Sequence, residues 1–155
     1  MNINDVYDLV KDIVNKSNIL KNKYTDEINA KVNYACIFCK DEDEFNNYIA
    51  ILKEDNNDII EDTYSGPLFR LKDLETVAGM LKLLKVRRYD DKHLDLGDAD
   101  FTVNNYEKFK DKYIDKPNFK LISGDGYEML ELMEEGNEVR TYFSNPPLDE
   151  ELGID

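Results

Sequence analysis

The sequence predicts an α+β domain of two tandem strand–helix–three-strand units preceded by an amphipathic helix. Three observations carry this reading: the spacing of apolar residues, the polar residues that cap each internal helix, and a repeat of the element order at a shift of 64 residues, Tyr34 falling on Asp98. At 155 residues the chain has the size of one domain, enough to bury roughly two-thirds of the surface its unfolded form exposes.

Ile3, Val6, Tyr7, Val10, Ile13 and Val14 recur at three and four, the stripe of an amphipathic helix. The Asn-rich stretch 15–22 predicts its end, and residues 1–31 read as an N-terminal helical extension. Its stripe must be buried against the same chain or a second subunit; both remain open. Val32 to Cys39 reads as a buried strand. Asp41 follows as an N-cap, with Glu44 completing an Asp-x-x-Glu variant of the capping box. Phe45, Tyr48, Ile49 and Leu52 then supply a helix face that ends near residues 55–57. Ile59 to Thr63, Pro67 to Lys72 and Val77 to Arg88 are extended, separated by turns at Ser65-Gly66-Pro67 and at 72–76.

After the polar loop 89–97 the pattern restarts. Ala99 to Val103 is a strand, Asn105 a cap, and Tyr106, Phe109 and Tyr113 a helix face that Pro117 cannot extend. Phe119 to Ile122 is extended, and Ser123-Gly124-Asp125-Gly126 is a turn with no Lys and no following helix, hence no phosphate loop. Residues 127–133 and 138–144 form a hairpin, and Pro146-Pro147 ends the regular structure, leaving 147–155 as an acidic tail. The same shift places Asn105 on Asp41 and Phe109 on Phe45, so element order and caps carry the repeat rather than identities.

Thirty-four acids against 20 bases give a net charge of -14. Such a surface repels polyanions, so nucleic acid and anionic membrane are not expected partners, and the charge reads as a solubility coat. The first twenty residues are amphipathic rather than continuously apolar, and no apolar run approaches a membrane span; a cytoplasmic location is expected. Cys36 and Cys39 lack the second pair of a zinc site and the helix N-terminus of a redox motif. On a strand they point to opposite faces, as buried structural thiols. His93, the sole histidine, reads as a solvated residue in an Asp-rich loop, and Glu128 and Glu131 fall on opposite faces of one strand. Lys85 and Arg87 share one face of their strand and Lys82 and Arg88 the other, as either a cationic cleft wall or counterions to acidic neighbours.

The run Gly97-Asp98-Ala99-Asp100-Phe101-Thr102-Val103-Asn104-Asn105-Tyr106, a helix, and then Glu131-Leu132-Met133-Glu134-Glu135-Gly136-Asn137-Glu138-Val139-Arg140 resemble the vicinal oxygen chelate superfamily of glyoxalases, extradiol dioxygenases and bleomycin-resistance proteins. The resemblance implies two βαβββ units, about 32–88 and 98–145, forming a curved mixed sheet in a glyoxalase-like domain spanning 32–146. Metal-using members hold a divalent ion with His, Gln or Glu from the first and fourth strands of each unit. Those positions fall here on Tyr34, Asp98 and Arg140, and the strand 77–88 contains no His, Asp or Glu. Only Asp98 could ligate, and the cation at Arg140 opposes it, so neither metal nor other cofactor is expected.

The expectation is a non-enzymatic, metal-independent, dimeric small-molecule binding protein using Tyr34, Lys85, Arg87, Asp98 and Arg140. Bleomycin-resistance proteins are similar in lacking metal ligands and in being acidic, and they sequester a cationic drug. The alternatives are a metal-independent isomerase or lyase acting on a small organic acid, and a protein-interaction module docking through the first helix or the tail. Asp98 and Arg140 form either a structural salt bridge or a cleft in which Arg140 clamps a ligand carboxylate or phosphate.

Overall fold

The computed structural model describes residues 1–154. A first helix, α1 (Ile3–Tyr24), precedes β1 (Lys31–Phe38), α2 (Glu42–Glu54), β2 (Asp58–Thr63), β3 (Gly66–Thr76) and β4 (Gly79–Arg87). The second unit repeats that order as β5 (Gly97–Thr102), α3 (Tyr106–Tyr113), β6 (Phe119–Gly124), β7 (Tyr127–Leu132) and β8 (Val139–Asn145), and a short α4 (Leu148–Glu151) follows. All eight strands form one curved mixed sheet in the order β2-β3-β4-β1-β5-β8-β7-β6. Within each unit the first strand lies parallel to the last, β1 to β4 and β5 to β8, and the two first strands meet antiparallel at the centre.

The central ladder pairs Ala35 with Ala99, Tyr34 with Asp100, and Cys36 with Asp98. Ala35 and Ala99 are repeat equivalents paired with each other, so the pseudo-two-fold axis relating the units passes between them. Their side chains face the helices together with Ile37 and Phe101, in a core shared with Val6, Val10, Ile13, Val14 and Leu20 of α1, Phe45 and Leu52 of α2, and Phe109 of α3. Each of those large apolar side chains contributes roughly 1.5–3 kcal/mol by leaving water. Gly97 permits the close approach: a Cβ there would stand 2.2 Å from the Cys36 carbonyl oxygen and 2.9 Å from Ile13 Cδ1. The helix caps are as expected, Asp41 accepting from the Glu44 amide at 2.8 Å and Asn105 from the Lys108 amide at 3.2 Å.

Three expectations are corrected. First, α1 does not break within 15–22 but runs unbroken to Tyr24, and it packs on its own chain's sheet. Ser17 donates to the Arg140 carbonyl at 3.0 Å and Thr141 donates to the Ser17 carbonyl at 3.0 Å, while Leu20 and Lys21 are fully buried. Tertiary burial of one face outweighs the weak helix propensity of Asn and Ser on the other. Second, residues 72–76 are not a turn. Strand β3 continues to Thr76 and Thr76 pairs with Gly79, because Leu74 is paired with Leu81 and buried. Third, regular structure does not end at Pro146-Pro147. The Asn145–Pro146 peptide is cis, and α4 follows, its Asp149 amide donating to Asn33 Oδ1 at 3.1 Å. No helix among the described residues is long and apolar enough to cross a membrane.

Lys21 closes the end of α1. Its ammonium donates to the Glu27 carbonyl, to the Ile28 carbonyl at 3.2 Å and to Asn22 Oδ1 at 2.9 Å, above the Phe101 ring. Burial lowers its pKa, and the carbonyls offset the cost of keeping it charged. Lys21→Met leaves those acceptors unmet and is expected to destabilise the fold by about 2–3 kcal/mol, read as a lower urea midpoint; an unchanged midpoint would show that this lysine does not hold the turn into β1.

Candidate functional site

The sheet face away from the helices carries an unusual density of ionisable groups. Around the pseudo-two-fold axis stand Tyr34 and Cys36 from β1 and Asp98 and Asp100 from β5, all excluded from the apolar core on the other face. The ladder extends this centre outward in rows. One row runs Arg140 on β8, Asp98 on β5, Cys36 on β1, Lys85 on β4 and Leu68 on β3. The next runs Glu131 on β7, Tyr142 on β8, Asp100 on β5 and Tyr34 on β1.

Asp98 and Asp100 are buried, at 8% and 1% exposure. Burial is the main force raising both carboxyls, Asp98 to about 8 and Asp100 to about 7; the neighbouring Asp100 pushes Asp98 further, against Arg140, Arg87 and Lys85. Ser144 satisfies Asp100 through its hydroxyl and, at 3.4 Å, its amide. Asp98 Oδ1 is buried with no hydrogen-bond partner among the described residues. Burial likewise raises the Tyr34 phenol and Cys36 thiol well above their ordinary values, with Asp98 and Asp100 opposing a further negative charge at Tyr34. Both therefore stay protonated and are poor nucleophiles.

Arg140 and Asp98 face the same side from adjacent strands, but the anticipated salt bridge is not formed. Arg140 is claimed by the loop between β4 and β5: its Nε donates to Asp95 Oδ2 at 2.6 Å and its Nη2 to the Lys92 carbonyl at 2.7 Å, with Glu131 at 3.8 Å. That loop folds over one end of the cleft. His93 packs edge-on against Phe38 at 5.1 Å and approaches Asp90 at 3.2 Å, so it is not the solvated residue expected from an Asp-rich loop. Burial, then Arg87 and Arg140, lowers its pKa. Arg87 pairs with Asp90 at 3.4 Å while its Nε stays buried without a partner among the described residues. Arg88 leaves for the helix face, pairing with Glu42 at 2.8 Å over the Phe45 ring.

At the other end α4 lies over the sheet and borders a half-open cavity of about 430 Å³. Tyr34 and Lys85 line it beside Glu61, Thr63, Tyr127, Met129 and Ser144, with Pro146, Leu148, Glu151 and Leu152 above. Of the five residues nominated from sequence, the structure thus places Tyr34 and Lys85 on the cavity and Asp98 next to Lys85's neighbour Cys36. It leaves Arg140 engaged by Asp95, and it sets Arg87 on the wall of a separate open depression with Tyr64 and Tyr89. Sequence reading overlooked Asp100, Cys36 as a cleft residue, and α4. The shift of 64 that aligns Tyr34 with Asp98 also aligns Cys36 with Asp100, and Leu148 and Leu152 stand at helical spacing, so both signals were present.

The residues do not fit a divalent ion. Pairing Ala35 with Leu84 and Ala99 with Thr141 makes Leu83 the equivalent of Arg140, so the first-and-fourth-strand set is Tyr34, Leu83, Asp98 and Arg140. One carboxylate facing a guanidinium and a leucine is not a donor set for a hard or borderline cation. Among the described residues no group of three His, Cys, Asp or Glu side chains is placed to hold a metal.

No protein-family model matches the chain, and no curated protein matches it in sequence. Among the solved structures similar in backbone course is a glyoxalase/bleomycin resistance protein/dioxygenase superfamily member from Vibrio splendidus 12B01, with a TM-score of 0.49 and 8% identity over 74% of this chain and 97% of that one. The strand order itself shows the tandem βαβββ architecture that the sequence resemblance implied.

A carboxyl whose folded pKa lies above its unfolded value binds its proton more tightly in the native state. The Asp98 contribution therefore weakens the fold progressively as pH rises from about 4, the unfolded value, to about 8, and is level beyond. Asp98→Asn is expected to stabilise the protein more at pH 8 than at pH 5 in denaturant unfolding; an equal effect at both would show that Asp98 does not hold its proton.

Proposed function

We propose that the protein is a non-enzymatic, metal-independent binding protein for a small organic molecule, held in the cleft between the sheet and α4. The cavity of about 430 Å³ carries this reading. Its size suits a compact ligand, and its walls combine apolar and aromatic surface (Tyr34, Tyr127, Met129, Leu148 and Leu152) with one cation on its floor. Lys85 has no ion pair within 4 Å among the described residues, although burial lowers its pKa. Glu61 lines the same cavity and, with Asp98, acts on the ammonium from beyond contact distance. The protonated Tyr34 and Cys36 argue against covalent catalysis.

A second reading, a metal-independent isomerase or lyase acting on a small organic acid, draws on one observation: Asp98 keeps an exchangeable proton near neutral pH beside the cleft. Recovery of the bound compound unchanged supports binding alone, whereas conversion supports catalysis.

A thermal-shift screen of metabolites, metal salts and cationic drugs identifies ligands, because selective binding to the native state raises the melting temperature. For any hit, Tyr34→Ala and Lys85→Ala are each expected to weaken binding about tenfold, about 1.4 kcal/mol, with EDTA without effect. Loss of binding on chelation, or indifference to both substitutions, would reject the proposal.

A further inference from the structure

Three of the side chains lining the cavity beside α4 are charged: Lys85 on β4, Glu61 on β2 and Glu151 on α4. None of them makes an ion pair among the described residues, although both signs are present. The ladder keeps Glu61 and Lys85 apart. Glu61 pairs with Leu68 on β3 and Leu68 with Lys85, so acid and base face the cleft from one row with a strand between them. Neighbouring strands lie about 4.8 Å apart, which sets the two backbones roughly 10 Å from each other.

The uncommitted donors and acceptors of the cavity are segregated. Lys85 pairs with Cys36, and Tyr34 precedes Cys36 by two positions on the same face of β1, so Lys85 and Tyr34 are neighbours on the floor. An ammonium only donates, and burial, by raising the Tyr34 phenol, keeps that hydroxyl a donor too. The hydroxyl has no hydrogen-bond partner among the described residues. Those of Ser144 and Thr63 are already committed, to Asp100 and to the Gly66 carbonyl at 2.6 Å. Glu61 and Glu151 stand exposed at the rim, and as carboxylates they only accept.

We propose that the ligand of this cleft is a compact zwitterion, an α-amino acid with an apolar side chain, its carboxylate on Lys85 and Tyr34 and its ammonium toward Glu61 and Glu151. This deepens the cleft-binding reading and rests on it. A lone anion would meet two lining carboxylates and a lone cation would meet Lys85, whereas a molecule carrying both charges complements every charged wall. Its apolar side chain lies against Met129, Leu148 and Leu152. Arg87 and Arg140 do not line the cavity and are paired with Asp90 and Asp95. Asp98 and Asp100 stand next to Cys36 and Tyr34. Raised by burial to about 8 and about 7, they are partly neutral near pH 7, so Lys85 keeps its attraction for a carboxylate. The carboxylate gains charge-assisted hydrogen bonds on a sheltered floor, and the ammonium less at a rim that solvent screens.

Isothermal titration at pH 7 with L-phenylalanine, 3-phenylpropanoate and 2-phenylethylamine separates the two charges. The amino acid is expected to bind about tenfold more tightly than either analogue. In Lys85→Met its affinity is expected to fall to that of 2-phenylethylamine, whose own binding is not weakened. In the double variant Glu61→Gln with Glu151→Gln it is expected to fall to that of 3-phenylpropanoate, whose own binding is not weakened. Both glutamates are exposed, so the double variant keeps the fold, and its melting curve without ligand checks this. An amine that binds as tightly as the amino acid assigns the cavity to cations, and an equally tight 3-phenylpropanoate assigns it to anions. Either result overturns the zwitterion site and leaves cleft binding standing. Failure of all three probes while a compound lacking one of the two charges binds in a Tyr34-dependent way does the same. Failure of every compound, probes and screen alike, removes both readings.

Discussion

The antiparallel contact of β1 with β5 at Ala35 and Ala99 is the constraint on which the rest depends. It joins two units that each end in an exposed edge, and it places two of the smallest side chains under α1, where the helix and Phe101 require room. Because side chains alternate along a strand, seating alanines toward the helices sends Tyr34, Cys36, Asp98 and Asp100 to the opposite face. The site is thus a by-product of register. A one-residue slip would bury the acids among leucines and expose the alanines.

That geometry has an electrostatic consequence. Two carboxyls on one short strand, both nearly sealed from water, cannot readily ionise together, and their proton affinity rises until they are partly neutral near pH 7. The nearby arginines do not relieve them, since the loop between β4 and β5 supplies Asp90 and Asp95 as competing partners. What looks in composition like a strongly acidic protein therefore has a cleft floor with little net negative charge. The surface coat and the cleft obey different rules because solvent screens one and not the other.

Long-range contacts also explain where local reasoning faltered. The Asn-rich stretch of α1 reads as a break, yet on its buried side Ser17 bonds to β8, 123 residues away, and Lys21 to the turn before β1, seven residues away. Residues 72–76 are polar enough for a turn, but Leu74 is tied to Leu81. His93 belongs to a charged loop, and Phe38 on the central strand shields it. In each case neighbours in the fold decide a segment whose own composition points elsewhere.

By itself the sequence determined the α+β class, the repeated order of elements, the capped helices, and the assignment of Cys36 and Cys39 to opposite faces. These follow from periodicity and residue chemistry, which act over a few positions. Only the tertiary structure decided that α1 belongs to the same chain's core, that α4 roofs the cleft, and which carboxylate each cation meets. Ion pairing falls off with distance in three dimensions, so Arg140 takes Asp95 from a folded-back loop while Asp98, its strand neighbour, keeps an unpartnered oxygen.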